Sequence, residues 1–293
     1  MWKKLGKIFS IKNYSNLLYS HSSYPTLEKI NNFIRVYFSS RDKKNTSRVF
    51  HFDFFKENKE IFFNKKLDLN VGKTGTYNCD GVAPRSIVLN KNNEKLMYLI
   101  GWNKCYSFPY QLSIGLSFFN KNKWEDIGQI LGRNKFDKIF VTSPFVIKDE
   151  NKFKMWYCSC TEWKKNNPKY LIKYTESKNG IDWEISDQIC IDYTFASSIG
   201  WPMVIKNKKN EYIMYFSHRK DYNFIKNKNN SYEIGKAISK NGVNWELTDL
   251  SVLKKSKYGW DSKMICYSSI VDNLMFYNGN GFGYSGIGLA ELT

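Results

Sequence analysis

The chain has 293 residues, 42% hydrophobic and 17% aromatic, which is ample material for a core and excludes a disordered polypeptide. Its formal net charge is +18, which leaves two readings: a solvated basic surface, or attraction to an anionic partner. The six cysteines, Cys79, Cys105, Cys158, Cys160, Cys190 and Cys266, contain no C-x-x-C pair and no His at zinc-ligand spacing, so no metal or other cofactor is expected.

The N-terminal run MWKKLGKIFSIKNYSNLLYS is interrupted by Lys7, Ser10, Lys12 and Asn13 and lacks the apolar core of a signal peptide. Nothing downstream approaches the ~18 apolar residues of a membrane span. A cytoplasmic protein with reduced thiols is expected, with at most weak association to an anionic membrane surface.

In chain order, one unit then repeats. A first strand reads YPTLEKI from Tyr24, VAPRSIVL from Val82, SPFVIK from Ser143, WPMVIK from Trp201 and YSSIVD from Tyr267. Pro25, Pro84, Pro144 and Pro202 fall 59, 60 and 58 residues apart, and Ser268 takes the fifth place. A second strand recurs as FIRVYFSSR, KLMYLIGWN, FKMWYCSCTEW, EYIMYFSHR and NLMFYNGNG. A third recurs as SRVFHFDF, LSIGLSFF, YLIKYTES, YEIGKAIS and SGIGLAEL. Branched and aromatic residues in short runs suit a pleated surface, and the intervening Asn, Gly and Pro suit turns. Fourth strands are expected at KWEDIGQIL, DWEISDQI and NWELTDLS, with EIFFNKKLDL the weakest candidate; the Asn179-Gly180 pair predicts a tight type I′ hairpin.

A period near 60 with four strands per unit predicts an all-β chain: one five-bladed β-propeller domain over 1–293, with blades at 21–69, 78–131, 139–191, 198–253 and 260–293 plus 2–9. The last blade lacks a fourth strand, and Trp2–Phe9 matches Trp124–Leu131 in spacing and type. The N-terminal segment is therefore expected to complete that blade, which removes exposed edges. The rival is an amphipathic surface helix with Lys3, Lys4 and Lys7 outward.

In such blades, first-strand starts and second-strand ends share one face. That places His21, Tyr24, Asp80, Arg85, Thr142, Trp201, Asp261 and Lys263 at one funnel, with Arg41, Asp42, Trp102, Asn103, Glu162, Trp163, His218, Arg219, Asn278 and Asn280. Three of the chain's six arginines, Arg41, Arg85 and Arg219, are in this set. A guanidinium retained in a Lys-rich chain suits two-pronged recognition of carboxylate or phosphate; the alternative is a structural pairing with Asp42 or Asp221. Trp102, Trp163 and Trp201 offer platforms for a sugar ring, and Asn103, Asn278 and Asn280 polar partners for hydroxyls.

The hairpins and the stretches FVTSPFVI, MWYCSCTEW, YLIKYTESKNGIDW, GWDSKMICYSSI and FYNGNGFGYSGIGLAEL resemble the glycoside hydrolase superfamily of families 43, 32, 68 and 130. More closely, they are similar to glycosyl-hydrolase-like propeller proteins associated with bacterial surface-polysaccharide synthesis. The resemblance implies a carbohydrate-active protein with carboxylates at the first strands of three successive blades. Only Asp80 and Asp261 carry over by position; the expected Glu is replaced by Gly200-Trp201-Pro202. Glu162 beside Trp163 is the other placed carboxylate, a candidate acid whose pKa an apolar mouth would raise. Asp80 is the matching base or nucleophile candidate.

Two readings follow: glycosyl transfer or hydrolysis on an anionic or nucleotide-activated sugar, or a carbohydrate-binding propeller in which Asp80 and Asp261 cap strand starts. Nucleic-acid binding ranks last, because the lysines lie in scattered pairs (Lys43-Lys44, Lys65-Lys66, Lys164-Lys165, Lys208-Lys209, Lys254-Lys255) without a reading helix.

Overall fold

The computed structural model describes residues 1–164, 167–192, 195–220 and 223–293, with Lys164 described by its backbone only. Lys165 and Asp221, named above, lie outside them. The described residues form strands and turns and no helix.

After β1 (Trp2–Phe9), the first repeat folds as β2 (Ser20–Ile30), β3 (Phe33–Arg41) and β4 (Ser47–Phe55), edged by the short β5 (Glu60–Phe62) and β6 (Leu67–Leu69). The second is β7 (Gly81–Leu89), β8 (Lys95–Asn103), β9 (Gln111–Asn120) and β10 (Lys123–Leu131). The third is β11 (Phe140–Asp149), β12 (Lys152–Lys164), β13 (Asn167–Ser177) and β14 (Ile189–Ile191). The fourth is β15 (Ser198–Lys206), β16 (Tyr212–Arg219), β17 (Glu233–Ser239) and β18 (Glu246–Asp249), and the last is β19 (Cys266–Val271), β20 (Leu274–Asn278) and β21 (Ile287–Leu292).

Each repeat is an antiparallel meander; a single parallel bridge, Ser47 to Gly81, links the first two into one sheet. The last sheet runs β1-β21-β20-β19, with Trp2 opposite Leu292 and Phe9 opposite Ile287. Residues 2–9 are therefore a strand, and the amphipathic-helix alternative is corrected. The alternating side chains of a strand cannot make a helical apolar face.

Two further expectations are corrected. The third repeat's fourth strand lies at Ile189–Ile191 and not over DWEISDQI. Trp183 in that stretch is instead buried against Tyr98 of the neighbouring sheet, at 5.9 Å between rings. The Asn179-Gly180 turn is not type I′, since Gly180 (φ 79°) has positive φ and Asn179 does not. Ser177 Oγ accepts the amides of Asn179 and Gly180, while Asn179 Oδ1 accepts those of Ile181 and Asp182. Side-chain acceptors hold this wider turn, and Ser239 and Asn241 repeat it.

A sheet hydrophobic on both faces must be covered on both, and here the neighbours do it. Tyr37 and Val49 pack with Val82 and Leu99; Leu96 and Tyr98 with Val141 and Phe153; Trp156 and Ile172 with Ile199 and Met214; Met203 and Tyr215 with Ile265 and Met275. The last core joins the chain's two ends. Phe38, Phe52 and Phe54 of the first repeat pack with Leu274, Phe276 and Leu289 of the last, and Leu5, Ile8 and Phe9 of β1 lie against them. Cys158 and Cys160 are buried free thiols.

Candidate functional site

The site begins with a backbone irregularity written into each first strand. Tyr24, Ser143, Trp201 and Tyr267 have positive φ of 66°, 52°, 57° and 58°. At each of them the ladder to the second strand skips a step, between Ser23 and Thr26, Thr142 and Phe145, Gly200 and Met203, and Cys266 and Ser269. Left-handed residues with large side chains cost roughly 1–3 kcal/mol each and persist only when their surroundings hold them. Such bulges re-aim a side chain.

The amides of three are held by side chains from the preceding repeat. Trp201 N–H donates to Cys158 Sγ (3.2 Å), Tyr267 N–H to Ser217 Oγ (3.0 Å), and Tyr24 N–H to Asn278 Oδ1 (2.8 Å). The re-aimed rings meet: Tyr24 stacks on Trp201 at 4.9 Å, and Tyr267 lies 4.7 Å from each. In the second repeat the skip falls one residue later, between Pro84 and Ser86, and Arg85 is the extra residue.

These rings floor a cavity of about 460 Å³, inside the range of small-molecule sites. Its wall takes Arg41 and Ser39 from β3, Trp102 and Ile100 from β8, Ser217 and Arg219 from β16, and Tyr110, Tyr170 and Tyr232 from the starts of the third strands. Phe224, Ile225 and Phe282 come from connections at its rim. Trp102 is seated by a hydrogen bond from Nε1 to Ser47 Oγ (2.9 Å), and a Cβ at Gly81 would collide with that indole. Among the described residues, no Asp or Glu lines the cavity.

Its charge is therefore positive. Arg41 donates from Nη1 to Asn45 Oδ1 (3.0 Å), and no described carboxylate lies within ion-pair distance of it. Arg219 is buried, with Nη2 donating to Pro168 O (2.6 Å), Nη1 to Lys220 O (3.1 Å) and Nε to Tyr232 Oη (3.3 Å), and its guanidinium lies 3.9 Å from the Phe224 ring. Arg219 thus pins the rim segment to the third repeat and supplies potential, while Arg41 keeps donors for a ligand. Burial raises the hydroxyls of Tyr24, Tyr170, Tyr232 and Tyr267, and that of Tyr110 up to about 12, so all five stand as neutral donors at ordinary pH.

Of the residues predicted from sequence, Arg41, Trp102, Trp201 and Arg219 are brought together here, with Tyr24 and Thr142. The three carboxylates stand elsewhere. Asp80 Oδ2 accepts the Lys104 amide (2.8 Å), as a turn cap does. Glu162 pairs with Lys169 at 2.8 Å. Asp261 is 1% exposed, paired with Lys4 at 2.6 Å and accepting from Tyr277 Oη at 3.1 Å.

Arg85 is also outside the lining: it is fully buried, 3.9 Å from the Trp201 ring and 5.1 Å from Phe145, with Nη2 donating to Pro202 O. Its Nε and Nη1 have no partner, and burial pulls its pKa down to about 9. Trp163 stacks on Phe108 at 5.6 Å and abuts Tyr110. His218 packs on Phe195 and meets Leu250 O.

Asn103 contacts Thr76 O, and Lys263 is exposed. Asn278 and Asn280 hold backbone, the latter accepting the Lys263 and Met264 amides. Tyr110, Tyr170, Tyr232 and Tyr267 were missed as site residues. The first three sit about one repeat apart at third-strand starts, beside second-strand ends in an antiparallel pair, and that period was the available signal. Among the described residues no three His, Cys, Asp or Glu side chains gather as a metal site would require.

This fold is that of the glycoside hydrolase propellers of the family 43 and family 130 type. The similar solved structures are a complex of BT0996 with RGII, 16% identical with TM-score 0.77 over 99% of this chain and 91% of that one; a family 130 structure whose description concerns mannoside phosphorylases and hydrolases of β-1,2 mannosidic linkages, 13% identical with TM-score 0.68 over 98% and 93%; and a thermostable family 43 glycoside hydrolase, 12% identical with TM-score 0.64 over 95% and 90%. At these identities the likeness is one of fold. In sequence, two uncharacterised proteins of Mycobacterium tuberculosis, from two strains, are each 29% identical over 307 residues, covering 99% of this chain and 99% of each relative. No family model matches the chain.

Proposed function

We propose that this chain is a carbohydrate-active, five-bladed propeller of the cytoplasm, closed by β1, whose cavity takes an anionic sugar such as a sugar phosphate or nucleotide sugar. The observation that carries this is the described lining: two guanidinium groups and an aromatic floor, with no carboxylate. Arg41 grips the phosphate or carboxylate with its planar fork, Trp102 and the Tyr24–Trp201 platform stack the sugar ring, and tyrosine and serine hydroxyls meet its polar groups. The core shared by the first and last repeats supports closure.

Glycosidic hydrolysis needs one protonated and one ionised carboxyl across the sugar ring, and the described lining offers neither. A phosphate leaving group needs no general acid, and a guanidinium stabilises the charge that develops on it. Glycosyl transfer from an activated donor in surface-polysaccharide synthesis is thus the reaction that suits the cavity. The second reading, a binding module without turnover, is favoured by the placement of Asp80, Glu162 and Asp261 in caps and ion pairs.

Calorimetry across sugar phosphates, nucleotide sugars and neutral oligosaccharides tests the anionic ligand. Anionic members should bind, and Arg41→Lys should weaken them about tenfold or more although the charge is kept, because the fork is lost. Binding confined to neutral glycans, or equal affinity in Arg41→Lys, would refute it. Product analysis on the ligands that bind separates transfer from binding alone.

A further inference from the structure

The two faces of the molecule differ in a way that the cavity does not require. Connections that precede first strands or follow second strands surround the cavity mouth, as the place of Asn45, Ile225 and Phe282 in its lining shows. The hairpins from first to second strands lie on the other face. Among the described residues, every exposed aromatic side chain except Phe62 belongs to a mouth-side connection, including Tyr106 (105% exposed), Tyr258 (76%) and Tyr284 (60%). Ile225 (63%) and Leu17 (42%) stand among them. Exposed aromatic and aliphatic tips gathered on one face are uncommon in a protein with no use for them.

Charge follows the same division. Exposed lysines or arginines stand in the mouth-side connections 10–19, 42–46, 70–80, 104–110, 132–139, 220–232 and 254–265. The carboxylates there are consumed internally: Asp42 by Arg48 (2.7 Å), Asp137 by Lys173 (3.0 Å) and Asp261 by Lys4 (2.6 Å). On the opposite face the hairpins balance themselves, Lys56 with Glu57, Lys91 with Glu94, Lys178 with Asp182 and Lys208 with Glu211. On the mouth side lysines also hover over the exposed rings, Lys135 over Phe136 at 4.8 Å, Lys257 over Tyr258 at 5.3 Å and Lys43 over Tyr19 at 5.8 Å.

We propose that the mouth face is a docking surface for a bilayer containing anionic phospholipids, onto which the cavity opens. Tyrosine at the headgroup level, with lysines on long stems reaching phosphate, is the chemistry of a membrane–water interface. An unpaired basic face adds long-range attraction to anionic lipid. A nucleic acid fits the observations less well: its phosphates are gripped by arginine forks, Arg133 is the one exposed arginine in the described part of these connections, and the aliphatic tips would gain nothing from it. The inference is independent of what the cavity binds.

The test uses the full chain and sedimentation with vesicles of phosphatidylcholine, alone or with roughly one third phosphatidylglycerol. Binding is expected only to the anionic vesicles and should fall steeply with added salt. Neutralising Lys43, Lys135, Lys226 and Lys257 together to Gln should weaken it by on the order of a hundredfold or more, at about fivefold per lysine. The matched set Lys91, Lys178, Lys208 and Lys240 to Gln removes equal charge from the opposite face and should change it less than about threefold. Tyr106→Ser with Ile225→Ser and Tyr258→Ser should cost tenfold or more while the salt dependence persists. All of these side chains are exposed or at the rim, and circular dichroism confirms folding. No binding to anionic vesicles, equal losses from the two lysine sets, indifference to the Tyr and Ile changes, or tighter binding of a DNA duplex that the mouth-side lysine set abolishes would each overturn the proposal.

Discussion

Lys4→Met is the sharpest probe of how the chain's two ends are held together. Lys4 on β1 is the one described cation in ion-pair contact with Asp261, whose side chain is 1% exposed, and Lys4 Nζ also donates to Ser256 Oγ at 3.0 Å. Asp261 Oδ1 has no partner of its own, so little else compensates the charge. Removing one member of a buried pair leaves the other charge desolvated and costs about 3–5 kcal/mol. That is a large part of the ~5–15 kcal/mol a domain has. Lys4→Met should lower the urea midpoint, read by tryptophan fluorescence, without changing the slope.

Asp261→Asn removes the charge itself, so the double variant should lose less than the sum of the two single losses, by about 1–3 kcal/mol. Deleting residues 1–12 also strips Trp2, Leu5, Ile8 and Phe9, partly buried in two cores. At up to ~1.5–3 kcal/mol for each large side chain fully buried, that should unfold the whole chain cooperatively. A Lys4→Met midpoint within ~0.5 kcal/mol of wild type, or strict additivity in the cycle, would refute the reasoning.

Three other outcomes are expected. Arg85→Met should be neutral or stabilising by up to ~1–4 kcal/mol and leave ligand affinity unchanged, because it replaces a buried cation without a carboxylate partner; a loss above ~2 kcal/mol would contradict this. His21, held down to about 4 from 6.5 by burial and then by Arg41, stays neutral when folded. The unfolded chain binds its proton first, so this stability is full above pH 6.5 and lost as pH falls towards 4; His21→Gln should flatten urea midpoints in that window. Asp80→Asn and Glu162→Gln should each hold ligand affinity within about tenfold (~1.4 kcal/mol) and spare any turnover found; loss of turnover with folding intact would return them to a catalytic role.

Strand positions were legible in the sequence to within a few residues, because alternation, branched side chains and turn residues are local properties that repeated copies reinforce. The pairing of β1 with β21 was legible as well, since Trp2–Phe9 has the pattern of Trp124–Leu131 and the last repeat lacked a fourth strand. The face on which a site lies followed from antiparallel order alone, and it correctly gathered Arg41, Trp102, Trp201 and Arg219.

Tertiary structure decided which members of that face reach the cavity. Asp80, Glu162 and Asp261 sit at positions indistinguishable by pattern from those of Trp102 or Trp201. Partners distant in sequence, such as Lys4 for Asp261, or an amide across a turn for Asp80, withdraw them into the framework. Arg85 moved behind the floor because its repeat bulges one residue later than the others, and the left-handed turns at Tyr24, Trp201 and Tyr267 gather rings from three repeats into one platform. Strand pattern is set by each residue's own chemistry and its near neighbours. A cavity lining depends on which far side chain takes up each hydrogen bond and charge, and one sequence read alone carries no record of that pairing.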